Sequence, residues 1–498
     1  MPTELSFNPN DTKYAKFFKG FQLLECLDES EFETFKSLST LHRYEAGEVA
    51  YPKNSPRDRI YFVYEGKLSL EKSNYIIRFF NEHDCFGEYS LINDSPRTST
   101  VRCLQPTVLI EVSVKDLQNN EKFPAWAYGK LCKQFAFLLT TRRRHEEEMY
   151  REMDVLIIQD GGCAPGYNSV TAFLTEYLEK IGRRVFAAAE GFKSVVQGEL
   201  SDFRRLAYSG ALYREIEDYH GVVFTPPLRE ARGADFRSER YPDFKKVENQ
   251  KKAAKHILDR HVKAIIGIGG DGTFKGLQGL GEHLPPDIQL FFVPVTIDSD
   301  IYGTECIGEH TGVEIGAEKI SCYMADARTH ERCYIIEMMG REGGYHALHS
   351  CLGAGAHLAV LPDSKFDMKR VARAIQSRRS TVIVVAEGYK LNERRSQEKR
   401  QSAASYFLDE INTVDLEMNR RIVCEAFARD VRGARPNNKD ITLAQRMAKK
   451  LAFLMQTGQS RMMPAVLSGQ EYAIPFSDIR THNTVNSDLA VLANRLGV

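Results

Sequence analysis

Ile265-Ile266-Gly267-Ile268-Gly269-Gly270-Asp271-Gly272-Thr273 sets the architecture of this chain. An apolar, β-branched run reads as a buried strand, and it feeds directly into a glycine turn carrying one carboxylate. Backbone N–H groups in such a turn can approach a phosphate closely. Asp271 then stands at the carboxyl end of a strand, where open α/β sheets bind ligands. Leu290-Phe291-Phe292-Val293 repeats the pattern and runs into Pro294-Val295-Thr296-Ile297-Asp298-Ser299-Asp300, which again delivers carboxylates. Either stretch alone also reads as a tight turn with an exposed acid; together they point to a shared site.

Upstream, Val155-Leu156-Ile157-Ile158 reads as a strand, followed by Gly161-Gly162-Cys163-Ala164-Pro165-Gly166-Tyr167-Asn168. A helical pattern then follows at Val170, Phe173, Leu174, Tyr177, Leu178 and Ile181. Strand, glycine loop and helix form a phosphate-binding arrangement. Strand-like runs at 333–338, 358–361 and 381–385 alternate with helical patterns. The second two-thirds of the chain therefore reads as a doubly wound parallel sheet in two lobes.

The first 120 residues differ. Short runs at 60–63, 67–70, 75–80 and 107–114 are broken by Gly, Asn, Asp or Pro, with Gly47, Gly66 and Gly87 as turn residues. That spacing predicts an antiparallel barrel or roll. Residues 117–153 turn helical, with Ala125-Trp126-Ala127-Tyr128, Leu131, Phe135 and Leu138-Leu139 at three-to-four spacing. The charge run Thr141-Arg142-Arg143-Arg144-His145-Glu146-Glu147-Glu148 reads as a solvated helix face. The expected division is 1–120 for the roll, 121–152 for linker helices and 153–498 for the α/β domain.

Composition narrows the function classes. The 498 residues are 43% hydrophobic and 27% charged, with zero formal net charge. No basic field advertises nucleic acid. Ten cysteines show no CxxC spacing, so neither a zinc site nor a redox pair is indicated. Scattered cysteines without a secretion signal fit a reducing cytoplasm, and no apolar run approaches the roughly 18 residues of a membrane span.

Phe86-Gly87-Glu88-Tyr89-Ser90-Leu91-Ile92, then Asn93-Asp94-Ser95 and Pro96-Arg97-Thr98-Ser99-Thr100-Val101, carries a binding pattern. Leu91-Ile92 reads as one helical turn whose N–H groups, with Arg97, form an anion site. Glu88 can accept a hydrogen bond from a sugar hydroxyl. The stretch resembles the phosphate-binding cassette of cyclic-nucleotide-binding domains, over residues 18–140. The resemblance implies that Arg97 holds the cyclic phosphate and Glu88 the ribose 2′-hydroxyl. Phe86, Gly87, Tyr89, Ser90, Thr98 and Ser99 complete the cassette. Asn54-Ser55 stands where many members have a turn glycine. Thr98 resembles members that accept cGMP, but threonine occurs in cAMP binders too, so either effector fits. The helix that caps the nucleotide in that family here leads into the next domain, which makes it the candidate transmitter.

The α/β part, over residues 153–480, resembles phosphofructokinases. GGCAPGYN matches the first nucleotide loop; Phe236 to Phe244 matches the segment that supplies an arginine, Arg240, to the transferred phosphoryl group. GGDGT matches the metal loop and PVTIDSD the catalytic loop. Arg332 through Glu337-Met338-Met339-Gly340-Arg341 matches the sugar-phosphate segment, and Ala386-Glu387-Gly388 the glutamate that holds the sugar. The implied fold is a two-lobed, Rossmann-like α/β phosphofructokinase fold preceded by the β-roll. A lipid kinase of the diacylglycerol type also resembles GGDGT, but it explains neither PVTIDSD nor EMMGR.

The resemblance assigns roles residue by residue. Asp298 takes the proton of the sugar's 1-hydroxyl and is expected to be ionised at pH 7. Asp271 holds Mg²⁺ against the β- and γ-phosphates, and Asp300 supports the metal or the loop. Arg240 and Arg341 carry charge developing on the transferred group, a role worth on the order of 10³–10⁵ in rate. Thr296 bonds the phosphoryl group or sugar. Gly161, Gly162, Asn168, Gly270, Gly272 and Thr273 belong to the ATP site; Met339, Gly340, Glu387, Arg429 and Arg432 belong to the sugar-phosphate site. Arg332 reaches a neighbouring subunit's 6-phosphate, which implies a homo-oligomer with shared active sites.

Pyrophosphate-dependent relatives resemble GGDD and PKTID at these loops. Gly272 leaves room for ATP, and Val295 cannot supply the lysine's charge while adding bulk near the transfer point. Late departures bear on the substrate: Arg429 replaces the family's histidine or tyrosine, and Val423 stands where an arginine is expected, with Arg421 two residues off. Cys163 for an acid, Ser299 for asparagine and Glu309-His310 for Phe-Asp are further departures. The expected activity is ATP-dependent phosphorylation of fructose 6-phosphate controlled by cAMP or cGMP. The alternatives are another sugar phosphate or pyrophosphate, and a catalytically weak cyclic-nucleotide sensor.

Overall fold

The computed structural model describes residues 2–498 except 73–74, 93–95, 150–152, 200–201, 208–212, 217–220, 225, 239, 397–400, 416–419, 428 and 482–486. Asn93-Asp94-Ser95 of the cassette and Glu239 therefore lie outside the described residues, as do the side chains of Ser90, Arg429 and the 141–148 charge run. The chain divides into two compact units, Met1–Glu152 with Ala211–Phe224, and Met153–Gly210 with Thr225–Val498. In the first grouping, Tyr213–Ile216 and Gly221–Phe224 form an antiparallel hairpin.

The first unit is an antiparallel roll. One sheet runs Thr3–Leu5, Ser39–Tyr44, Thr107–Ser113, Arg59–Glu65, Cys85–Phe86; the other runs Val49–Tyr51, Thr100–Cys103, Leu68–Lys72, Tyr75–Phe80. Its predicted strands appear within two residues of their expected ends. The helices Thr12–Lys19, Glu29–Ser37 and Ala125–Met149 accompany it. Phe18, Phe35 and Phe62 are fully buried and meet edge-on at 5.6–6.0 Å, an arrangement favoured by the ring quadrupole. The 117–153 helical expectation needs one correction: Val114–Asn119 and Ala125–Met149 are separate helices, because Pro124 lacks the N–H that would carry the first into the second.

The second unit holds two sheets. Phe203–Leu206, Val185–Ala188, Val155–Gln159, Ala264–Gly269, Gln289–Pro294, Met462–Leu467 and Gln470–Pro475 adjoin in that order. The strands from Val185–Ala188 to Met462–Leu467 run parallel, and the outer two are antiparallel additions. Leu358–Val360, Thr381–Ala386, Cys333–Met338 and Ile422–Phe427 form a second, all-parallel sheet. Every residue of Val155–Gln159, Ala264–Gly269 and Thr381–Ala386 is buried, as strands covered on both faces require. The helix Asn438–Gln456 packs along Tyr167–Lys180, and Glu309–His330 along Tyr345–Ala354.

Register places the loops. Ala264–Gly269 lies beside Gln289–Pro294 with Gly269 opposite Pro294, and the Val295 N–H donates to the Gly269 carbonyl at 2.9 Å. Both acidic loops therefore leave from the same end of neighbouring strands. Among the described residues no helix is long and apolar enough to cross a membrane, and all ten cysteines are free thiols.

Candidate functional site

Asp271 opens the helix Asp271–Gly281 directly after the strand Ala264–Gly269. One carboxylate oxygen meets Lys275 Nζ at 2.8 Å, while Oδ1 is buried without a partner. Across the strand pair, Thr296 Oγ1 accepts the Asp298 N–H at 3.0 Å, which curls the loop and leaves the hydroxyl hydrogen free to donate. Thr296 also lies over Gly270, whose added Cβ would sit 3.6 Å from Thr296 Oγ1. The two loops thus touch.

Asp298 is 5% exposed. Its Oδ2 pairs with Arg341 Nε at 3.1 Å, and Oδ1 has no partner. Burial pushes its carboxyl above the usual carboxylate range, against the pull of Arg341, Arg432 and Arg240. Asp298 is therefore a carboxylate that takes up a proton more readily than an exposed one. Asp300 is pushed up to about 6 by burial and by the negative charge of Asp298, with Asp271 adding to it. One electrostatic cluster thus contains all three acids.

The arginines converge from separate elements. A Cβ on Gly162 would lie 2.7 Å from Arg432 Nη1 and 3.0 Å from Arg240 Nη2, so only glycine fits between these guanidinium groups without displacing them. Arg432 Nη1 donates to the Cys163 carbonyl at 3.2 Å and the Cys163 thiol donates back to the Arg432 carbonyl at 3.3 Å. Arg432, assigned to the sugar phosphate, thus braces the first glycine loop. Arg341 follows the strand Cys333–Met338 with φ +49, a left-handed conformation. Glu387 Oε2 accepts the Gly340 and Arg341 N–H groups at 3.2 and 3.0 Å, which fixes that turn. Met339 is 9% exposed beside it.

Several assignments change. Asn168 is fully buried, and its side chain holds the 232–235 loop, with Nδ2 donating to Asp235 Oδ1 at 3.0 Å and Oδ1 accepting the Asp235 N–H at 2.9 Å. It is a brace, not a nucleotide contact. Val295 is 1% exposed, so its bulk lies in the core and not at the transfer point. Thr273 is 1% exposed and spends its hydroxyl on the Asp160 carbonyl at 2.9 Å. Arg332 precedes Cys333–Met338 and pairs with Asp326 at 3.9 Å. A six-residue strand spans roughly 20 Å, so Arg332 lies at the end away from Arg341. Arg421 sits at that same end, accepting the Cys333 N–H at 3.1 Å on its carbonyl.

Sequence reasoning missed Asp160. It directly follows the strand Val155–Gln159, is 9% exposed, and has Oδ1 unpartnered. Burial raises it to about 7, opposed by Thr273, the Gly161 N–H and Arg240. The only signal was a carboxylate directly before a glycine pair.

Mg²⁺ can be tested against these donors. The orphaned Asp271 Oδ1 fits an ion held by one or two carboxylates together with substrate phosphates. Among the described residues no group of three or more His, Cys, Asp or Glu side chains could hold a metal unaided.

In the first unit the 3₁₀ turn spans Glu88–Leu91, three residues earlier than Leu91-Ile92 predicted. Gly87, at φ +86, lets this turn descend onto Arg97: a Cβ there would meet the Arg59 carbonyl at 2.8 Å and Arg97 Nη1 at 3.1 Å. Arg97 is 4% exposed, donates from Nη2 to the Arg59 carbonyl at 2.8 Å and stacks 4.0 Å from the Tyr51 ring. Its Nε is buried without a partner, a donor suited to an anion. Glu88 is 7% and Ser99 9% exposed, while Tyr89 and Thr98 face solvent.

Comparison with known proteins agrees with both units. Residues 41–119 match the cyclic nucleotide-binding domain model. An ATP-dependent 6-phosphofructokinase of Aquifex aeolicus is 32% identical over 243 residues, 48% of this chain and 70% of that one. One from Thermotoga neapolitana is 28% identical over 353 residues, 69% of this chain and 99% of that one. Among solved structures, a pyrophosphate-dependent phosphofructokinase of Nitrosospira multiformis superposes with TM-score 0.56 at 15% identity, over 70% of this chain and 91% of that one. The phosphofructokinase of Saccharomyces cerevisiae gives TM-score 0.53 at 21% identity, over 65% of this chain but only 44% of that one. At those identities the structures share the fold. Residues 154–455, well over half of the chain, match the phosphofructokinase model, and the chain belongs to the phosphofructokinase family.

Proposed function

We propose that this chain transfers the γ-phosphoryl group of ATP to the 1-hydroxyl of fructose 6-phosphate, under the control of cAMP or cGMP bound around Arg97. The observation that carries the reaction is the unpartnered, buried Oδ1 of Asp298, set among Arg341, Arg432 and Arg240 and beside the Asp271 loop. Asp298 accepts the hydroxyl proton as the sugar oxygen bonds to the γ-phosphorus and the bond to ADP breaks. The arginines offset charge on the transferred group. Thr296 donates its hydroxyl hydrogen to the reactants. Glu387 Oε2 is taken by backbone, so Oε1 is the oxygen available to a sugar hydroxyl. Asp271 Oδ1 would hold Mg²⁺, which when bound neutralises the β- and γ-phosphates.

ATP is favoured over pyrophosphate because position 272 is glycine, where an added Cβ meets nothing within 4 Å. That open space suits a nucleotide. Arg332 lies away from its own site and serves a second copy, so the enzyme is a homo-oligomer. For the effector to move an inactive-to-active ratio from 1:99 to 99:1 it must prefer one state by about 5.5 kcal/mol; we assign it to activation. The engagement of Arg432 with the first glycine loop favours a second reading, in which the acceptor is a different sugar phosphate.

The test is steady-state turnover of the full chain on fructose 6-phosphate with ATP or pyrophosphate, with and without each cyclic nucleotide, followed by an acceptor screen. ATP-dependent turnover raised by one nucleotide is expected. Equal rates with and without both nucleotides would remove the regulation, and no turnover with any donor or acceptor would leave a sensor without catalysis.

A further inference from the structure

The arginine at the centre of the cassette is held by a ring and not by an acid. The Arg97 guanidinium carbon lies 4.0 Å from the centre of the Tyr51 ring and 5.9 Å from that of Tyr61. Nη2 donates to the Arg59 carbonyl at 2.8 Å, and Nε is buried without a partner. Among the described residues no carboxylate forms an ion pair with Arg97, although it is only 4% exposed. A buried cation is commonly paired with an acid, which cancels its charge. A π face attracts the cation and leaves its charge for a ligand.

The backbone explains why this ring meets this arginine. Tyr51 ends the strand Val49–Tyr51, which pairs with Thr100–Cys103. The chain then turns through Asn54, at φ +68. The Asn54 N–H donates to the Arg97 carbonyl at 2.8 Å, and the Arg97 N–H to the Ser55 carbonyl at 3.0 Å. Arg97 is thereby tied to the turn that follows Tyr51. Behind Tyr51 stands a group of rings. Tyr61 and Phe86 stack at 4.8 Å and 7°, and Phe80 stacks on Phe86 at 4.8 Å. Tyr51 meets Tyr61 at 5.8 Å and Phe86 at 6.0 Å. Phe86 immediately precedes Gly87 and the Glu88–Leu91 turn, and a Cβ at Gly87 would lie 3.1 Å from Tyr61 Cδ2. The arginine and the turn over it therefore rest on the same rings.

We propose that Tyr51 is a positioning residue whose ring fixes the plane of the Arg97 guanidinium and aims the unpartnered Nε at the anionic group of a bound nucleotide. The benefit is pre-organisation: a guanidinium already held flat has less freedom to lose when the anion arrives. An aliphatic side chain at 51 fills space but offers no π face.

The effect on affinity rests on the proposed cyclic-nucleotide reading; the orientation of Arg97 does not, so the test has two readouts. In the full chain, calorimetry with cAMP and cGMP is set beside titration with adenosine and guanosine, which keep base and sugar but lack the anion. Tyr51→Leu should weaken the cyclic nucleotide about threefold to tenfold and leave the nucleoside within about twofold. Tyr51→Phe keeps the ring and should stay within about twofold for both. In an Arg97→Ala background, Tyr51→Leu should cost less than about twofold further, because the partner is gone. Should leucine unfold the roll, Tyr51→Met is read in the same way. Crystal structures without ligand give the second readout: the guanidinium should stay on the Arg59 carbonyl in wild type and Tyr51→Phe and leave it in Tyr51→Leu. Equal loss of nucleotide and nucleoside, a loss that persists without Arg97, or an unmoved guanidinium in Tyr51→Leu would overturn the role. A wild type that binds neither cyclic nucleotide, while the guanidinium still follows the ring, would fail the effector reading and keep the positioning role.

Discussion

The two regions proposed to bind anions in this chain are built in opposite ways. Around Arg97 the guanidinium is buried, bonded to the Arg59 carbonyl, stacked on Tyr51 and closed over by Gly87. Among the described side chains there, Arg97 Nε is a buried donor without a partner. Around Asp298 the arginines at 240 and 341 are exposed, the Oδ1 atoms of Asp160, Asp271, Asp298 and Asp300 are buried without partners, and Ser299 and Arg341 sit in left-handed backbone. A braced arginine is suited to holding an anion. Acids that each keep one oxygen unpartnered, beside exposed arginines, are suited to moving a proton and a phosphoryl group.

That contrast fails if damage to the two regions has the same signature. Asp298→Asn should lower turnover about a hundredfold or more while ATP still binds, as read by steady-state kinetics and equilibrium binding; near wild-type turnover would deny the base. Arg97→Ala should weaken cyclic-nucleotide binding about tenfold or more, the size of a lost charge-assisted hydrogen bond, measurable by calorimetry. Gly272→Asp should fold, given the open space there. It should lower kcat/KM for ATP by about tenfold, the cost of about 1.4 kcal/mol of repulsion from the nucleotide, and raise use of pyrophosphate relative to ATP.

The smallest expected effect is on stability. Glu309, Asp160 and Asp300 are raised to about 8, 7 and 6. Between the ordinary carboxylate range and those values the folded chain keeps protons that the unfolded chain has released. Stability from these groups is therefore present at low pH and lost as pH rises toward about 8. The Tm of the second unit should fall from pH 5 to pH 8, and less steeply in Glu309→Gln. A Tm that rises across this range in both proteins would contradict the assignment.

Where apolar runs were continuous, the strands were legible: 155–159, 264–269, 289–294 and 333–338 all appear, because burial on both faces leaves no choice of residue. Ile422–Phe427 was not read as a strand, since Glu425 and Ala426 are exposed on it. The hairpin Met462–Leu467 to Gln470–Pro475 was overlooked although Ser468-Gly469, at φ +50 and +79, is the kind of pair a tight hairpin turn demands. In the site, residues carried by ordered motifs were readable, and those whose role depends on burial by distant segments were not. Asn168 turned inward because of Asp235, and Asp160 became a buried acid because Thr273 and its loop cover it. Spacing along the chain does not reveal which carboxylate a remote loop will cover.

The most direct measurement is the pH dependence of kcat/KM for the sugar phosphate in wild type, Asp298→Asn and Asp300→Asn. In wild type the rate should fall tenfold per pH unit on the acid side, with a midpoint above the ordinary aspartate value of about 3.9. Asp300→Asn should shift that limb and Asp298→Asn should abolish it, leaving a low, flat rate. An acid limb that persists unchanged without the Asp298 carboxylate would contradict the account.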